Sequence, residues 1–330
     1  MYATARKQAL LGVSFMALDM LPREDRAPLG VYTRWALMAE KIEGKNHRLQ
    51  EREKELVAMF TAEGFRSCIL KGQGVARYYP APDMRQCGDI DIWVEGDRDR
   101  IFNFLKGRYK LYKTIYNHTE AKIFDDVEVE VHYTPSWMNS FRLNARLQDF
   151  FARNAEAQFN NFDESLGVSV PDDRFNGVFL LLHIFRHVLM EGIGLRQVLD
   201  YYYLLKRLST QDRSSVMASL KELELDGFAA ALMYVLKAVF ALEDEYMLCQ
   251  PSDKDGKFLL DEILQSGNFG TLDSRNAHAE KESIAAHAVR KLSRVAKFAG
   301  RYPSEALFTP VFMTWQFFWR KKNGYLYKGR

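Results

Sequence analysis

The sequence predicts an α+β protein, in which a small domain built on a mixed β-sheet with helices is followed by a mainly helical C-terminal region. Residues 65–135 alternate between short apolar runs and helical segments, in the order strand, loop, helix, strand, helix and further strands. From residue 171 onward the apolar positions recur almost entirely at helical spacing. We therefore predict a helical segment at 1–64 that packs on the core, an α+β domain at 65–170 and a helical domain at 171–330.

The first 64 residues carry apolar side chains at helical spacing among many charges, and Gly64 stands where a helix commonly ends. Arg6 and Lys7 precede an apolar stretch from Ala9 to Leu18, which superficially resembles a signal peptide. Asp19 closes the stretch and no clear A-x-A cleavage site follows. We therefore favour a first amphipathic helix over a signal peptide.

Composition narrows the class of protein. The chain has 330 residues, 47% of them hydrophobic, and 46 basic residues against 43 acidic ones give a net charge of +3. This near balance argues against a general nucleic-acid surface. Three widely spaced cysteines without a CxxC motif favour a reducing cytoplasm. No run approaches the ~18 consecutive apolar residues of a membrane span.

The predicted α+β domain begins with a strand at Phe65–Leu70, which a glycine-containing loop ends. The elements expected after that loop are a helical turn at Val75–Tyr79, a strand at 88–94, a helix at Asp97–Arg108 and strands at 110–116, 121–124 and 127–132. In the helical domain we expect helices at 179–190, 195–208, 214–223 and 228–242, a polar connection at 250–280, and a final helical pair at 284–299 and 304–321.

Two carboxylates stand two residues apart in the predicted strand at 88–94. Because side chains of a strand alternate between its faces, Asp89 and Asp91 point to one side, and Ile90 and Ile92 to the other. Two adjacent buried carboxylates repel each other unless a cation neutralises them, and hard oxygen ligands suit Mg²⁺. The alternative is an edge strand whose two aspartates face water.

A second acidic strand supplies a third carboxylate. Glu128, Glu130 and His132 share one face by the same alternation. If this strand lies beside 88–94, one of its glutamates reaches metals held by the aspartates, as in two-metal sites whose ions lie ~4 Å apart. The competing interpretation is the exposed polar face of an antiparallel strand.

The loop Lys71-Gly72-Gln73-Gly74 follows a strand and precedes a helical turn. Its glycines permit close approach to a phosphate, and Lys71 adds positive charge, although such a short motif is often only a turn. Arg85, which precedes the acidic strand, either contacts a triphosphate or pairs with the acids.

Several of these motifs in combination resemble the uncharacterised nucleotidyltransferase family of the polymerase-β-like superfamily. They are Ile69-Leu70-Lys71-Gly72, Tyr78-Tyr79, Arg85, Gly88-Asp89-Ile90-Asp91-Ile92, Glu130-Val131-His132-Tyr133, His183-Ile184-Phe185-Arg186-His187 and Gly192 to Asp200. The resemblance covers about residues 30–240. It implies a nucleotidyltransferase fold with a helical appendage and transfer of a nucleoside monophosphate from an NTP such as ATP, with two Mg²⁺ ions for which Mn²⁺ substitutes.

The resemblance also implies roles for individual residues. Asp89 and Asp91 would be metal ligands, Glu130 the third carboxylate, as ligand or base, and Gly72 part of the triphosphate-binding loop. The expected nucleotide-binding residues are Lys71, Gly72, Gln73, Arg85, Gly88 and Arg196. The acceptor is unknown and ranges from a small molecule such as a sugar or antibiotic to a protein side chain.

The helical motif adds further candidate residues. His183 and His187 are spaced i, i+4, which suits zinc, but HExxH is absent. These histidines otherwise face the cleft or lie satisfied in the helical core. Arg196 and Asp200 either form an ion pair along one helix face or lie at the mouth of the cleft. His132, His187 and Asp200 complete the predicted cleft residues.

A catalytically inactive module is the alternative function. The chain has Lys71-Gly72-Gln73 where the wider superfamily usually has Gly-Gly or Gly-Ser. This difference motivates a nucleotide-binding or protein-interaction module on the same fold.

Overall fold

The structure, a computed structural model, describes residues 1–270 and 284–325. It confirms the predicted fold class, with a mixed five-stranded sheet and many helices. The strands are β1 (Ser67–Leu70), β2 (Ile90–Val94), β3 (Lys110–Thr114), β4 (His118–Lys122), β5 (Val129–His132), β6 (Phe162–Asp163) and β7 (Val168–Ser169).

Fourteen α-helices lie within the described part of the chain. They are α1 (Tyr2–Lys7), α2 (Leu11–Asp19), α3 (Leu29–Ala62), α4 (Gly72–Ala76), α5 (Arg98–Arg108), α6 (Phe141–Asn160), α7 (Asp173–Met190), α8 (Leu195–Leu205), α9 (Thr210–Glu222), α10 (Asp226–Phe240), α11 (Asp253–Ser266), α12 (Ile284–Ala296), α13 (Pro303–Ala306) and α14 (Thr309–Lys322).

Two compact units divide the chain. One, which we call the helical unit, comprises Met1–His47, Ala76–Cys87 and Asn176–Arg301. The other, which we call the sheet unit, comprises Arg48–Val75, Gly88–Phe175 and the segment from Tyr302 onward. The predicted domain boundaries at 64/65 and 170/171 stay predictions.

The five-stranded sheet has the order β1-β2-β5-β4-β3. The pair β2–β5 is parallel, whereas β1–β2, β5–β4 and β4–β3 are antiparallel. On one face of the sheet, Ile69, Ile92 and Val131 are register partners and fully buried. Because this apolar row determines the orientation of each strand, the residues next to it along each strand point to the opposite face of the sheet.

The opposite face is covered at one end. Trp93 lies on this face, two residues after Asp91, and its ring packs against Phe151 and Phe159 of α6 and against Phe175. These aromatic contacts exclude water from the Trp93 end of the sheet. They help to hold the strand that carries the acidic side chains.

The boundaries of several elements follow from local chemistry. Gly64 has a φ of 74°, and the Phe65 N–H donates to the Phe60 carbonyl, so α3 ends in the glycine-dependent geometry that the sequence predicts. Asp97 caps α5 by accepting from the N–H groups of Asp99 and Arg100.

Three expectations for local structure were wrong. The helical turn expected at Val75–Tyr79 is instead α4 at Gly72–Ala76, so Gly72, Gln73 and Gly74 belong to a helix and not to a loop. The segment 250–280, expected as a polar connection, contains the regular helix α11. Its apolar residues Leu259 and Ile263 are buried four positions apart, which is the spacing of one helix face. The strand expected at 121–124 is instead β4 at His118–Lys122. The part of the predicted polar connection at residues 271–280 lies outside the described residues.

Among the described helices, none combines the length and the apolar character that a bilayer crossing requires.

Candidate functional site

Acidic side chains of three neighbouring strands form a row on one face of the sheet. The parallel pairing of β2 and β5 places Asp91 opposite Glu130, and the antiparallel pairing of β5 and β4 places Glu120 opposite Glu130. The predicted adjacency of the two acidic strands is therefore confirmed. A second row on the same face contains Trp93, His132 and His118.

Lys71 neutralises part of this acidic row. Its Nζ lies 2.8 Å from Oδ1 of Asp91, and the Asp91 side chain is only 4% exposed. Burial opposes ionisation of Asp91, but the nearby Lys71 ammonium and His132 outweigh it and lower the pKa of Asp91. Lys71 has a φ of 52°, a conformation that costs a non-glycine residue of order 1 kcal/mol. The surrounding structure therefore stabilises a strained backbone at this position.

His132 links the two carboxylates. Its Nε2 donates to Oδ1 of Asp91 at 2.9 Å and lies 3.4 Å from Oε2 of Glu130. Its Nδ1 lies 3.3 Å from Nδ2 of Asn117. Burial opposes protonation of His132, but the hydrogen bonds to Asp91 and Glu130 outweigh it and raise the pKa of the imidazole. His132 therefore orients both carboxylates.

His118 lies on the other side of Glu130. Its Nδ1 is 3.4 Å from Oε2 of Glu130, and the residue is 7% exposed. Neither ring nitrogen makes a hydrogen bond to any of the described residues. Burial lowers the pKa of His118 to about 3, so the imidazole is neutral.

Glu130 stays ionised between these histidines. Burial opposes its ionisation, but the hydrogen bond and charge of His132 and the charge of Lys71 favour it, and the pKa of Glu130 is well below its usual range. A carboxylate with a strongly lowered pKa is a poor proton acceptor near neutral pH. This environment suits Glu130 better as a ligand than as a general base.

Glu53 of α3 lies against the start of α4. The side chain is buried, with 2% exposure, and accepts a hydrogen bond from the backbone N–H of Gln73. Burial raises the pKa of Glu53 to about 8, and the nearby Asp91 charge adds to this effect. Glu53 is therefore protonated at neutral pH and fixes the start of α4 without adding to the negative charge of the acidic row.

A cavity of about 510 Å³ opens beside the acidic row. Asp89, which directly precedes β2 and is half-buried, lines it together with Glu130. The other walls include Lys110 and the aromatic rings of Tyr112 and Phe124. The site therefore offers carboxylates, an ammonium group and aromatic surface around one volume. Gly88 is exposed at the start of the acidic segment.

The carboxylates of the site are of the chemical type that a divalent cation binds. Asp89, Asp91 and Glu130 supply three carboxylates against the single ammonium of Lys71 on Asp91. Carboxylate oxygens are ligands that Mg²⁺ and Mn²⁺ accept, and the excess negative charge favours such an ion. A different set has its ligand atoms within 4.8 Å of one another, namely His118, Glu130 and His132.

The other predicted site residues lie in the helical unit, where Arg85 and Asp200 form a buried ion pair. The Arg85 guanidinium donates from Nε and Nη2 to the two carboxylate oxygens of Asp200, each at 2.7 Å. Tyr79 also donates to Asp200, at 2.6 Å. Such a bidentate pair fixes the position of Arg85. Its predicted contact with a nucleotide stays a prediction.

Of the two alternatives for Arg196 and Asp200, the ion pair along one helix face is wrong. Asp200 accepts from Arg85 and Tyr79, whereas Nη1 of Arg196 donates to the backbone carbonyl of Gln86. The carboxylate is saturated by partners that are distant in sequence, which helical spacing alone does not reveal. The nucleotide-binding role predicted for Arg196 stays a prediction.

The histidine pair of α7 lies in the same unit. The rings of His183 and His187 are 4.4 Å apart, as i, i+4 spacing requires. Nδ1 of His187 lies 3.4 Å from Oε2 of Glu191, one turn further along the chain. This contact occupies His187 locally, and its predicted cleft role stays a prediction.

Sequence reasoning missed two residues of the site, His118 and Glu53. His118 lies outside the strand that was expected at 121–124, although its partner His132 was recognised. Glu53 lies among exposed charged residues of α3. The only sequence signal of its burial was its position between Leu49 and Leu56 on the buried face of that helix.

Comparisons with known proteins identify a family for this chain. Residues 1–241 match the sequence profile of the uncharacterised nucleotidyltransferase family. A search of curated proteins finds no match. Among solved structures, the chain is similar to an antigenic nucleotidyltransferase-like protein from Paracoccidioides brasiliensis, with 12% identity and a TM-score of 0.36 over 62% of this chain and 95% of the other. Because the profile matches most of its length, the chain belongs to the uncharacterised nucleotidyltransferase family.

Proposed function

We propose that the protein transfers a nucleoside monophosphate from an NTP to an acceptor in a reaction that requires Mg²⁺ or Mn²⁺. The observation that carries the proposal is the register of β2 and β5, which places Asp91 directly beside Glu130, and Glu130 lines a cavity together with Asp89. This arrangement supplies three carboxylates to one site. The family to which the chain belongs supports the same class of reaction.

The carboxylates would hold the metal. Asp89, Asp91 and Glu130 are the proposed ligands, and a bound divalent cation supplies charge stabilisation for the attacking and leaving oxygens at the α-phosphorus. Asp91 is held in place by Lys71 and His132, each within 3 Å of its Oδ1. Such orientation of a ligand by hydrogen-bonding partners reduces the cost of assembling the site.

The cations near the site would bind the triphosphate. Lys71 directly precedes α4, whose first residues are Gly72 and Gln73, and Lys110 lines the cavity. In the proposed reaction the acceptor hydroxyl oxygen forms a bond to the α-phosphorus and its proton passes to solvent, while the bond from the α-phosphorus to the oxygen bridging to the β-phosphate breaks and pyrophosphate leaves. The protein then contributes mainly positioning and electrostatic stabilisation.

The acceptor is proposed only by class. A hydroxyl of a small molecule or of a protein side chain satisfies the same chemistry. Three free cysteines are consistent with the reducing cytoplasm as the compartment of the reaction.

Labelling would test the transfer and identify the acceptor. The purified protein is incubated with α-³²P-labelled NTPs, Mg²⁺ or Mn²⁺, and a cell extract, and the labelled product is separated by size. We expect a labelled small molecule or protein in the presence of metal, and none with Asp91→Asn. The matched control is Glu95→Gln, because Glu95 directly follows β2 but forms its own ion pair with Arg66 at 2.6 Å.

One observation favours the second candidate function, a nucleotide-binding module without catalysis. The Lys71 ammonium lies 2.8 Å from the Asp91 oxygen that a metal would use. If this ion pair persists with nucleotide bound, Asp91 cannot serve as a ligand through that oxygen. Calorimetric titration with Mg-NTP distinguishes the candidates, since the module predicts tight binding with no labelled product from any acceptor.

A further inference from the structure

We infer that the sheet unit contains a second metal site, which selects a nitrogen-preferring divalent transition metal such as Zn²⁺ or Co²⁺. The proposed ligands are His118, Glu130 and His132, which we call the β4–β5 cluster. The site shares Glu130 with the proposed nucleotidyltransferase site but contains two imidazoles that the family resemblance does not assign to metal binding.

The register of the sheet brings the three ligands together. His118 and His132 are direct partners on the antiparallel strands β4 and β5, and Glu130 lies two residues before His132 on the same face. The histidine rings are 5.0 Å apart between centroids. One ligand atom from each residue lies within 4.8 Å of the others.

The distances match the coordination of a small cation. Oε2 of Glu130 lies 3.4 Å from Nδ1 of His118 and 3.4 Å from Nε2 of His132. With zinc bonds of about 2.0–2.1 Å to nitrogen and oxygen, two ligand atoms of a tetrahedron are separated by about 3.3–3.4 Å. Two edges of the cluster therefore already have the required length.

His118 provides an independent reason to expect a ligand. It is more than nine-tenths buried, and neither ring nitrogen has a hydrogen-bond partner among the described residues. A buried polar group without a partner costs free energy that a bound ion would recover. Because Nδ1 of His118 faces the carboxylate of Glu130, the imidazole is directed at the centre of the cluster.

The ligand types determine which metal binds. Imidazole nitrogen suits Zn²⁺, Co²⁺ and related ions, whereas Mg²⁺ prefers oxygen ligands only. A fourth position is available from solvent, because Glu130 is 24% exposed and lines the cavity. On binding, the ion replaces the proton that Nε2 of His132 shares with Asp91, and that proton is released to solvent.

Cobalt titration tests this inference. Metal-free full-length protein is titrated with Co²⁺ in excess Mg²⁺, which saturates sites made only of oxygen, and the visible ligand-field absorption of Co²⁺ is recorded. We expect one equivalent of Co²⁺ with a spectrum typical of nitrogen and oxygen ligands, displaced by Zn²⁺. No nucleotide is present, so the outcome is separate from that of the transfer experiment.

Variants identify the ligands. Because loss of even an outer partner of a metal site costs about 10- to 100-fold in affinity, His118→Gln should weaken Co²⁺ binding at least ~10-fold. Glu130→Gln, at a partly exposed position, should do the same and guards against a folding defect of His118→Gln. The matched control is His183→Gln, which alters the other close histidine pair.

Absence of Co²⁺ absorption in the wild-type protein would overturn the inference. Unchanged affinity in both His118→Gln and Glu130→Gln would also overturn it, as would loss of the signal in His183→Gln.

Discussion

Glu53 makes the stability of the sheet unit dependent on pH, and replacing it by glutamine removes that dependence. The Glu53 carboxyl is buried against the start of α4 and accepts a hydrogen bond from the Gln73 N–H. In Glu53→Gln, the side-chain amide oxygen can accept the same hydrogen bond, and the side chain has nearly the same volume. The substitution therefore removes the titration while it keeps the contact.

The magnitude follows from the pKa. In the folded protein the pKa of Glu53 is raised from 4.5 to about 8 by burial. Between these values the folded state holds a proton that the unfolded state has lost. The contribution of Glu53 to the free energy of unfolding is therefore fully present below pH 4.5 and is lost as the pH rises from there through 8. At about 1.4 kcal/mol per pKa unit, the loss reaches about 5 kcal/mol above pH 8, of which about 2 kcal/mol falls between pH 6 and pH 8.

Denaturant unfolding at a series of pH values measures this effect. The quantity compared is the free energy of unfolding of Glu53→Gln minus that of the wild type. We expect this difference to be about 2 kcal/mol larger at pH 8 than at pH 6. The matched control is Glu51→Gln at an exposed position of the same helix, which makes the same chemical change outside the buried contact. Parallel pH profiles for wild type and Glu53→Gln would refute the reasoning, since they would show that Glu53 does not titrate in this range.

Three further predictions concern packing, a buried ion pair and the metal. Gly256→Ala should destabilise the protein by about 1–3 kcal/mol in denaturant unfolding, because a Cβ there would overlap Cβ of Tyr234; an unchanged midpoint would contradict this packing. Asp200→Asn leaves the buried Arg85 guanidinium without its carboxylate, and a loss of about 3–5 kcal/mol is expected by the same measurement; a loss below 1 kcal/mol would contradict it. Chelation by EDTA should abolish label transfer and added Mn²⁺ should restore it, whereas transfer that persists in EDTA would exclude the proposed metal dependence.

The central strands of the fold could be predicted from the sequence because their signals are local. Alternation of Asp91 with Ile90 and Ile92 determines the polar and apolar faces of β2, and Glu130 and Val131 do the same for β5. Once the two strands pair, the faces determine that the carboxylates meet. Glycine at position 64 likewise marks the end of α3 within a few residues.

The rest of the site depends on contacts between distant segments. Glu53 contacts the start of α4 from a helix whose sequence around it is highly charged, so its burial is signalled only by its position between Leu49 and Leu56. Lys71 has a positive φ and lies 2.8 Å from Asp91, and residue type alone predicts neither. His118 was missed because the start of β4 was placed three residues too late, and strand boundaries depend on pairing as much as on residue type.

Release of pyrophosphate tests the proposed nucleotidyl transfer most directly. The purified protein is mixed with each NTP, Mg²⁺ and a nucleotide-depleted cell extract as the source of acceptor, and pyrophosphate is measured with time. We predict metal-dependent release that is lost in Asp91→Asn and retained in Glu95→Gln. Release that is equal in wild type and Asp91→Asn would contradict catalysis by the acidic row.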